Sequence, residues 1–192
     1  MTKAERIKRI FDPYYSAPIE IWESFAALLQ HRKYRKNEIL KESHSKESFL
    51  NIIINGSAGL FLDKSSHAIC LDLCYEEEFF CDYMSFLKQS STPLYTQALE
   101  SLEVLSISHT SLEKLYTESP FGVQIGRVAA ESLFIHKQNQ QVELLTLTAE
   151  ERYRQLLQKQ PEIIRRTPSK HIASYLGITP ESLSRIRKTI HS

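Results

Sequence analysis

No stretch of about 18 consecutive apolar residues occurs in the chain, so the sequence offers no membrane-spanning helix. The first ten residues carry Lys3, Arg6, Lys8 and Arg9 but no apolar core or small-residue cleavage site. They do not read as a secretory signal, and the expected location is the cytoplasm. Cysteine is sparse: Cys70, Cys74 and Cys81 are too few for a disulfide framework and suit reduced thiols. Cys70 and Cys74 read as small core residues facing the same way along one strand, and Cys81 as an exposed loop thiol. Glycine is sparse too, 5 of 192 residues, and none belongs to a Gly-rich phosphate loop. The seven histidines show no metal-ligand spacing, and no nucleophile is visibly paired with a base. No catalytic residue, metal or cofactor is expected, and the chain does not read as an enzyme.

The net charge of +1 conceals an asymmetry. From Arg152 onward, nine Lys and Arg residues face two acids, Glu162 and Glu181, so this piece carries +7 and the remainder −6. A basic end on an acidic body fits an approach to polyphosphate. Within that end, the run SKHIASYLGITPESLSRIRKTI (169–190) concentrates apolar residues at helical spacing. Thr167-Pro168 and Thr179-Pro180 each read as an N-cap followed by a first-turn proline, and Gly177 as the stop between two helices. Ile172, Ala173 and Leu176 share one face of the first helix, and Leu183, Ile186 and Ile190 one face of the second. The pattern predicts a helix-turn-helix. In the second helix, Arg185 is the expected base reader and Glu181 a partner for a cytosine amino group. Ser169, Lys170, Ser182 and Lys188 read as phosphate contacts, with Thr179, Pro180 and Ser184 completing the surface. The partner implied is double-stranded DNA.

Upstream, Met1 to Phe11 and Ile19 to Leu29 predict two short helices. Between His31 and Ile107 come seven short strand-like runs, with Asn55-Gly56 as the sharpest hairpin signal. Glu76 to Gln89 interrupts them with one helical turn, and a short helix follows over Thr110 to Thr117. After Ser119-Pro120 no glycine or proline follows Gly126 until well past Thr146, which predicts a helix of roughly 25 residues, far above the mean of about 11–12. Ile125, Val128, Ser132, Ile135, Asn139 and Val142 recur along it at intervals of three and four, the spacing of a two-stranded seam and hence of a homodimer. Thr148 and Glu151 form a capping box for the next helix.

The order of parts resembles the Crp/Fnr regulators over about Phe25 to Ile190. The residues carrying the resemblance are SFLNIIINGSAGLFL around Gly56; EEEFFCDYMSFL followed by QALESLEVLSI, similar to that family's phosphate-binding cassette; and the terminal helix-turn-helix. The ending TPESLSRIRK is similar to the Bacteroidetes-type subset. The resemblance implies an α+β chain: a double-stranded β-helix (jelly-roll) effector barrel with N-terminal helices over 1–118, a dimerisation helix over 119–147, and a winged helix-turn-helix over 148–192. It also implies a cytoplasmic homodimer on a pseudo-palindromic operator, with RNA polymerase as a further partner.

The cassette departs from the family pattern where that pattern binds a nucleotide. Cys81-Asp82 stands in place of Gly-Glu, and Thr92-Pro93 in place of the arginine pair that neutralises the cyclic phosphate. A buried phosphate without a charge partner is costly, so cyclic AMP and cyclic GMP are not expected ligands. The effector, if there is one, is a different small molecule, with Cys81, Asp82, Thr92 and Tyr95 as candidate pocket residues. The four-cysteine iron–sulfur site of the Fnr branch has no counterpart. The alternative reading is a barrel that works through protein–protein contacts and keeps its helix-turn-helix as a packing unit.

Overall fold

The computed structural model describes residues 1–64 and 67–191. Two helices, α1 (Lys3–Phe11) and α2 (Ile19–Ala27), precede strands β1 (Gln30–Tyr34), β2 (Ile39–Lys41), β3 (Phe49–Asn55), β4 (Ala58–Lys64), β5 (His67–Cys74) and β6 (Phe79–Phe80). A short helix α3 (Tyr83–Lys88) leads to β7 (Leu94–Ala98) and β8 (Leu102–Ser108). Helices follow to the end: α4 (His109–Glu118), α5 (Pro120–Thr146), α6 (Ala149–Lys159), α7 (Pro161–Arg166), α8 (Ser169–Tyr175) and α9 (Pro180–His191).

The strands form two antiparallel four-stranded sheets, ordered β1-β8-β3-β6 and β2-β7-β4-β5. Alternation along β3 and β8 divides their side chains between two cores, because successive residues point to opposite faces. Leu50, Ile52, Leu105 and Ile107 pack outward under α1, α2, α4 and α5 together with Trp22, Phe25 and Ile125. Ile53, Leu102 and Val104 turn inward against Ala58, Cys74, Phe80 and Ala98 of the barrel interior. A third core lies between β4, β5, β7 and the terminal helices, where Phe61, Cys70 and Leu73 meet Tyr153, Ile172 and Leu183.

Several expectations are corrected. Asn55-Gly56 does not close a hairpin: β3 and β4 belong to different sheets, and Gly56, at φ +94°, turns the chain from one to the other. A Cβ there would strike the carbonyl of Ser101. Cys70 and Cys74 face opposite ways, because Leu71 is an extra residue in the β4–β5 ladder, where Leu60 pairs with Asp72 and Phe61 with Cys70. Cys70 therefore joins the core under the terminal helices, and Cys74 the barrel interior. Thr167 does not N-cap α8: its backbone N–H ends α7 on Ile163 O, its hydroxyl hydrogen-bonds the Tyr75 hydroxyl, and Pro168 occupies the N-cap of α8. No strand lies beyond Ser108 among the described residues, so the wing has no counterpart in them. The strand β6 and the helix α7 are unforeseen. The capping boxes at Thr148 and, unforeseen, at Thr2 are both formed.

Candidate nucleic-acid interface and effector cavity

The terminal helices α8 and α9 share one core through fully buried Ile172, Ala173 and Leu183. The turn between them is closed by its own backbone: Gly177 N–H donates to Ser174 O (3.0 Å) and Ile178 N–H to Ala173 O (2.9 Å), with Gly177 at φ +69°. The next helix begins at Pro180, where Thr179 Oγ1 accepts from Ser182 N–H at 3.2 Å. Ser169, Lys170, Thr179, Pro180, Glu181, Ser184, Arg185 and Lys188 are exposed and Ser182 is half-buried. Arg185 Nη2 donates to Ser182 Oγ (3.1 Å), and Ser169 Oγ accepts from Arg187 Nη1 (2.8 Å), which ties the start of α8 to the second half of α9.

Not all of the basic end contributes to this surface. Arg152 Nη2 donates to the Leu176 carbonyl at 2.6 Å, bracing the turn. Arg166 points the other way, into the barrel, between Glu76 and Glu100. Its hydrogen bonds hold both carboxyls below their usual range. Arg166 also lies over the ring of Tyr75, whose phenol burial pushes up to about 12; elsewhere on this junction Ser174 Oγ accepts from Cys70 N–H (2.8 Å) and the His171 ring lies 5.0 Å from that of Phe61. The helix-turn-helix thus shares a core with the outer face of β4 and β5 while its polar face stays open.

The four candidate pocket residues separate. Asp82 and Thr92 come together as expected, the Thr92 hydroxyl donating to Asp82 Oδ2. Tyr95 belongs elsewhere: it stacks on Phe61 at 5.2 Å, in the core under the helix-turn-helix. Cys81 is half-buried rather than exposed, and its environment pushes the thiol well above its usual range. Sequence reasoning missed a cation here. Lys41 is fully buried on β2, and its Nζ donates to Asp82 Oδ2 (3.0 Å), Thr92 Oγ1 (2.9 Å) and the Leu94 carbonyl (2.7 Å). An ammonium has three donors, so none remains for a phosphate. Beside this cluster, Glu47 accepts from the backbone N–H of Ser48, Phe49 and Asp82, and Asp82 Oδ1 accepts from Ser85 N–H to cap α3. A cavity of about 540 Å³ opens next to it, between the barrel and α5.

The expected seam is also split. Ile125 and Val128, 3% and 7% exposed, pack against the chain's own barrel, and Ser132 is half-buried beside them. Ile135, Asn139 and Val142 are exposed. The large apolar residues left open on α5 are Phe121, Val123, Phe134, Ile135, Val142, Leu144 and Leu145, with Phe134 67% and Leu145 76% exposed. The outward face thus keeps Ile135, Asn139 and Val142 of the predicted seam, while Ile125 and Val128 in the first turns are buried within the chain.

No protein-family model matches the chain, and no curated protein matches it. Solved structures do share its fold. FixK2 from Bradyrhizobium japonicum, 20% identical, aligns over 85% of this chain and 84% of its own with a TM-score of 0.72. CLP, the c-di-GMP responsive global regulator of Xanthomonas campestris, is 18% identical over 91% of this chain and 92% of its own, with a TM-score of 0.70. The Thermus thermophilus catabolite activator protein is 19% identical over 95% of this chain and 86% of its own, with a TM-score of 0.58. The chain thus shares the fold of these three proteins.

Proposed function

We propose that the chain is a sequence-specific DNA-binding transcription regulator of the Crp/Fnr type, acting as a homodimer on a pseudo-palindromic operator. The observation that carries this reading is the polar face of α9, with Arg185 and Lys188 exposed on a helix whose apolar face packs through buried Leu183 and half-buried Ile186 and Ile190. In this reading residues 1–118 sense, 119–147 dimerise and 148–192 bind DNA; Ser192 lies outside the described residues. Arg185 and Glu181 read bases, while Ser169, Lys170, Ser182 and Lys188 hold phosphates. RNA polymerase is the partner through which transcription would change. A cyclic nucleotide is not the effector, because the three donors of Lys41 are all engaged within the chain. The alternative, an architectural helix-turn-helix in a protein-binding barrel, draws support from the packing of α8 on β5.

Selection of bound fragments from source genomic DNA with the purified protein separates the two readings. A regulator enriches fragments sharing an inverted repeat with half-sites about 34 Å apart. No enrichment even at low salt, where phosphate contacts are strongest, favours the alternative.

A further inference from the structure

The cavity between the barrel and α5 is walled chiefly by apolar side chains, among them Leu50, Leu60, Phe79, Leu94, Leu133 and Phe134. Charged groups reach it too, and each is already neutralised within the chain. Asp82 is paired with Lys41, both side chains at most 2% exposed. Asp72 holds Lys137 Nζ at 2.5 Å and His136 Nε2 at 3.6 Å. The Cys74 and Cys81 thiols on the wall are pushed up by burial and stay uncharged. An ion entering this space would lose its hydration and meet no unpaired opposite charge, whereas apolar surface would gain from leaving water. At about 540 Å³ the space falls within the roughly 300–1,000 Å³ typical of small-molecule sites.

We propose that this cavity binds an uncharged, predominantly apolar small molecule, which is the effector class of the regulator proposed above; the effector role rests on that reading. Such a ligand touches β3, β4 and β7 on one side and Ala130, Leu133 and Phe134 of α5 on the other, so its occupancy bears directly on the long helix. The charged cluster around Lys41 keeps its own partners throughout.

The test uses two fluorophores of one skeleton on the full chain, neutral N-phenyl-1-naphthylamine and its anionic sulfonate, 8-anilinonaphthalene-1-sulfonate. The neutral probe is expected to bind saturably, one per chain, and about tenfold more tightly than the anion. Ala130→Trp and Leu60→Trp, which fill the space from opposite walls, should each weaken it by about tenfold. In the unsubstituted chain, saturating neutral probe should slow the reaction of Cys81 with N-ethylmaleimide, a readout that depends on no variant folding. Equal affinity for the two probes, retention of binding in folded filled variants, or an unprotected Cys81 overturns the inference. Random-duplex binding by the same preparation is read separately. DNA binding without probe binding removes the ligand inference alone, while probe binding without DNA binding keeps the cavity and removes its regulatory role.

Discussion

Arg166 grips Glu76 with both prongs of its guanidinium: Nη1 and Nη2 each reach a Glu76 carboxylate oxygen at 2.8 Å across the junction between the terminal helices and the barrel. Nε, at 3.1 Å, and Nη2 also reach Glu100 Oε2, so one cation serves two carboxylates that would otherwise repel. With the three side chains a quarter to a third exposed, the discounted contribution is about 1–2 kcal/mol. Arg166→Ala should lower stability to urea by that amount, and Arg166→Lys should recover only part of it, because an ammonium cannot reproduce the planar fork. An unchanged midpoint would remove the pair from the account.

The same pair sets an acid limb. Both carboxyls are held below the ordinary glutamate value of 4.5, chiefly by hydrogen bonds from Arg166. Their stabilisation is therefore complete above that value and is lost as pH falls through the lower folded values. Urea midpoints measured across this range should slope in the parent and flatten in Arg166→Ala. Parallel slopes would place the titrating groups elsewhere.

Arg185 and Lys188 should separate by what they read. Arg185→Ala is expected to cost about 1–3 kcal/mol on the selected operator and much less on random duplex, whereas Lys188→Ala weakens both alike and lowers the salt slope by about one unit. Fluorescence anisotropy on the two duplexes decides it; equal losses for Arg185→Ala would make that residue a phosphate contact.

Along α5, Ile135→Glu and Val142→Glu should turn a dimer into a well-folded monomer, since both side chains face outward on one stripe, clear of the cavity wall. Val128→Glu should instead destabilise the fold, placing a charge in the chain's own core. Light scattering together with thermal melts distinguishes these outcomes, and a dimer that survives both outward substitutions would put the interface on another surface.

Lys41→Met leaves the Asp82 carboxylate buried without its cation, and a loss of roughly 3–5 kcal/mol is expected. Adding Asp82→Asn should restore part of it, because the amide oxygen still caps α3 and no charge remains unpaired. Urea denaturation of the single and double variants measures the coupling. A double variant no better than Lys41→Met would mean that packing, not charge, is what Lys41 supplies.

The longer strands and helices were legible because alternation and 3.6-residue spacing report directly on which face is buried, whereas the two-residue β6 and six-residue α7 are too short to show a period. The helix-turn-helix was legible to within a residue because Gly177 and Pro180 act locally. Long-range partners were not. Lys41, one lysine among Lys36 and Lys46, looks like solvated charge until the fold brings Asp82 and Thr92 to it. Arg166 looks like part of a DNA-binding surface until Glu76 and Glu100, distant in sequence, appear beside it. Asn55-Gly56 marks a positive φ correctly, but a crossing between sheets needs that backbone as much as a hairpin does. On α5 one periodic pattern serves two faces, and periodicity alone does not say which partner each face meets.

The extra residue in β5 has a mechanical consequence. At the bulge, Cys70 N–H is held by Ser174 of α8, the Leu71 carbonyl by Gln140 of α5 (3.1 Å), and the Asp72 carboxylate by Lys137 of α5. Three successive residues of one strand thus form a common abutment for the long helix and for α8. Any rotation of α5 about its axis strains the same short peptide segment on which α8 rests, a bearing far shorter than the route through the residues that link α5 to α6.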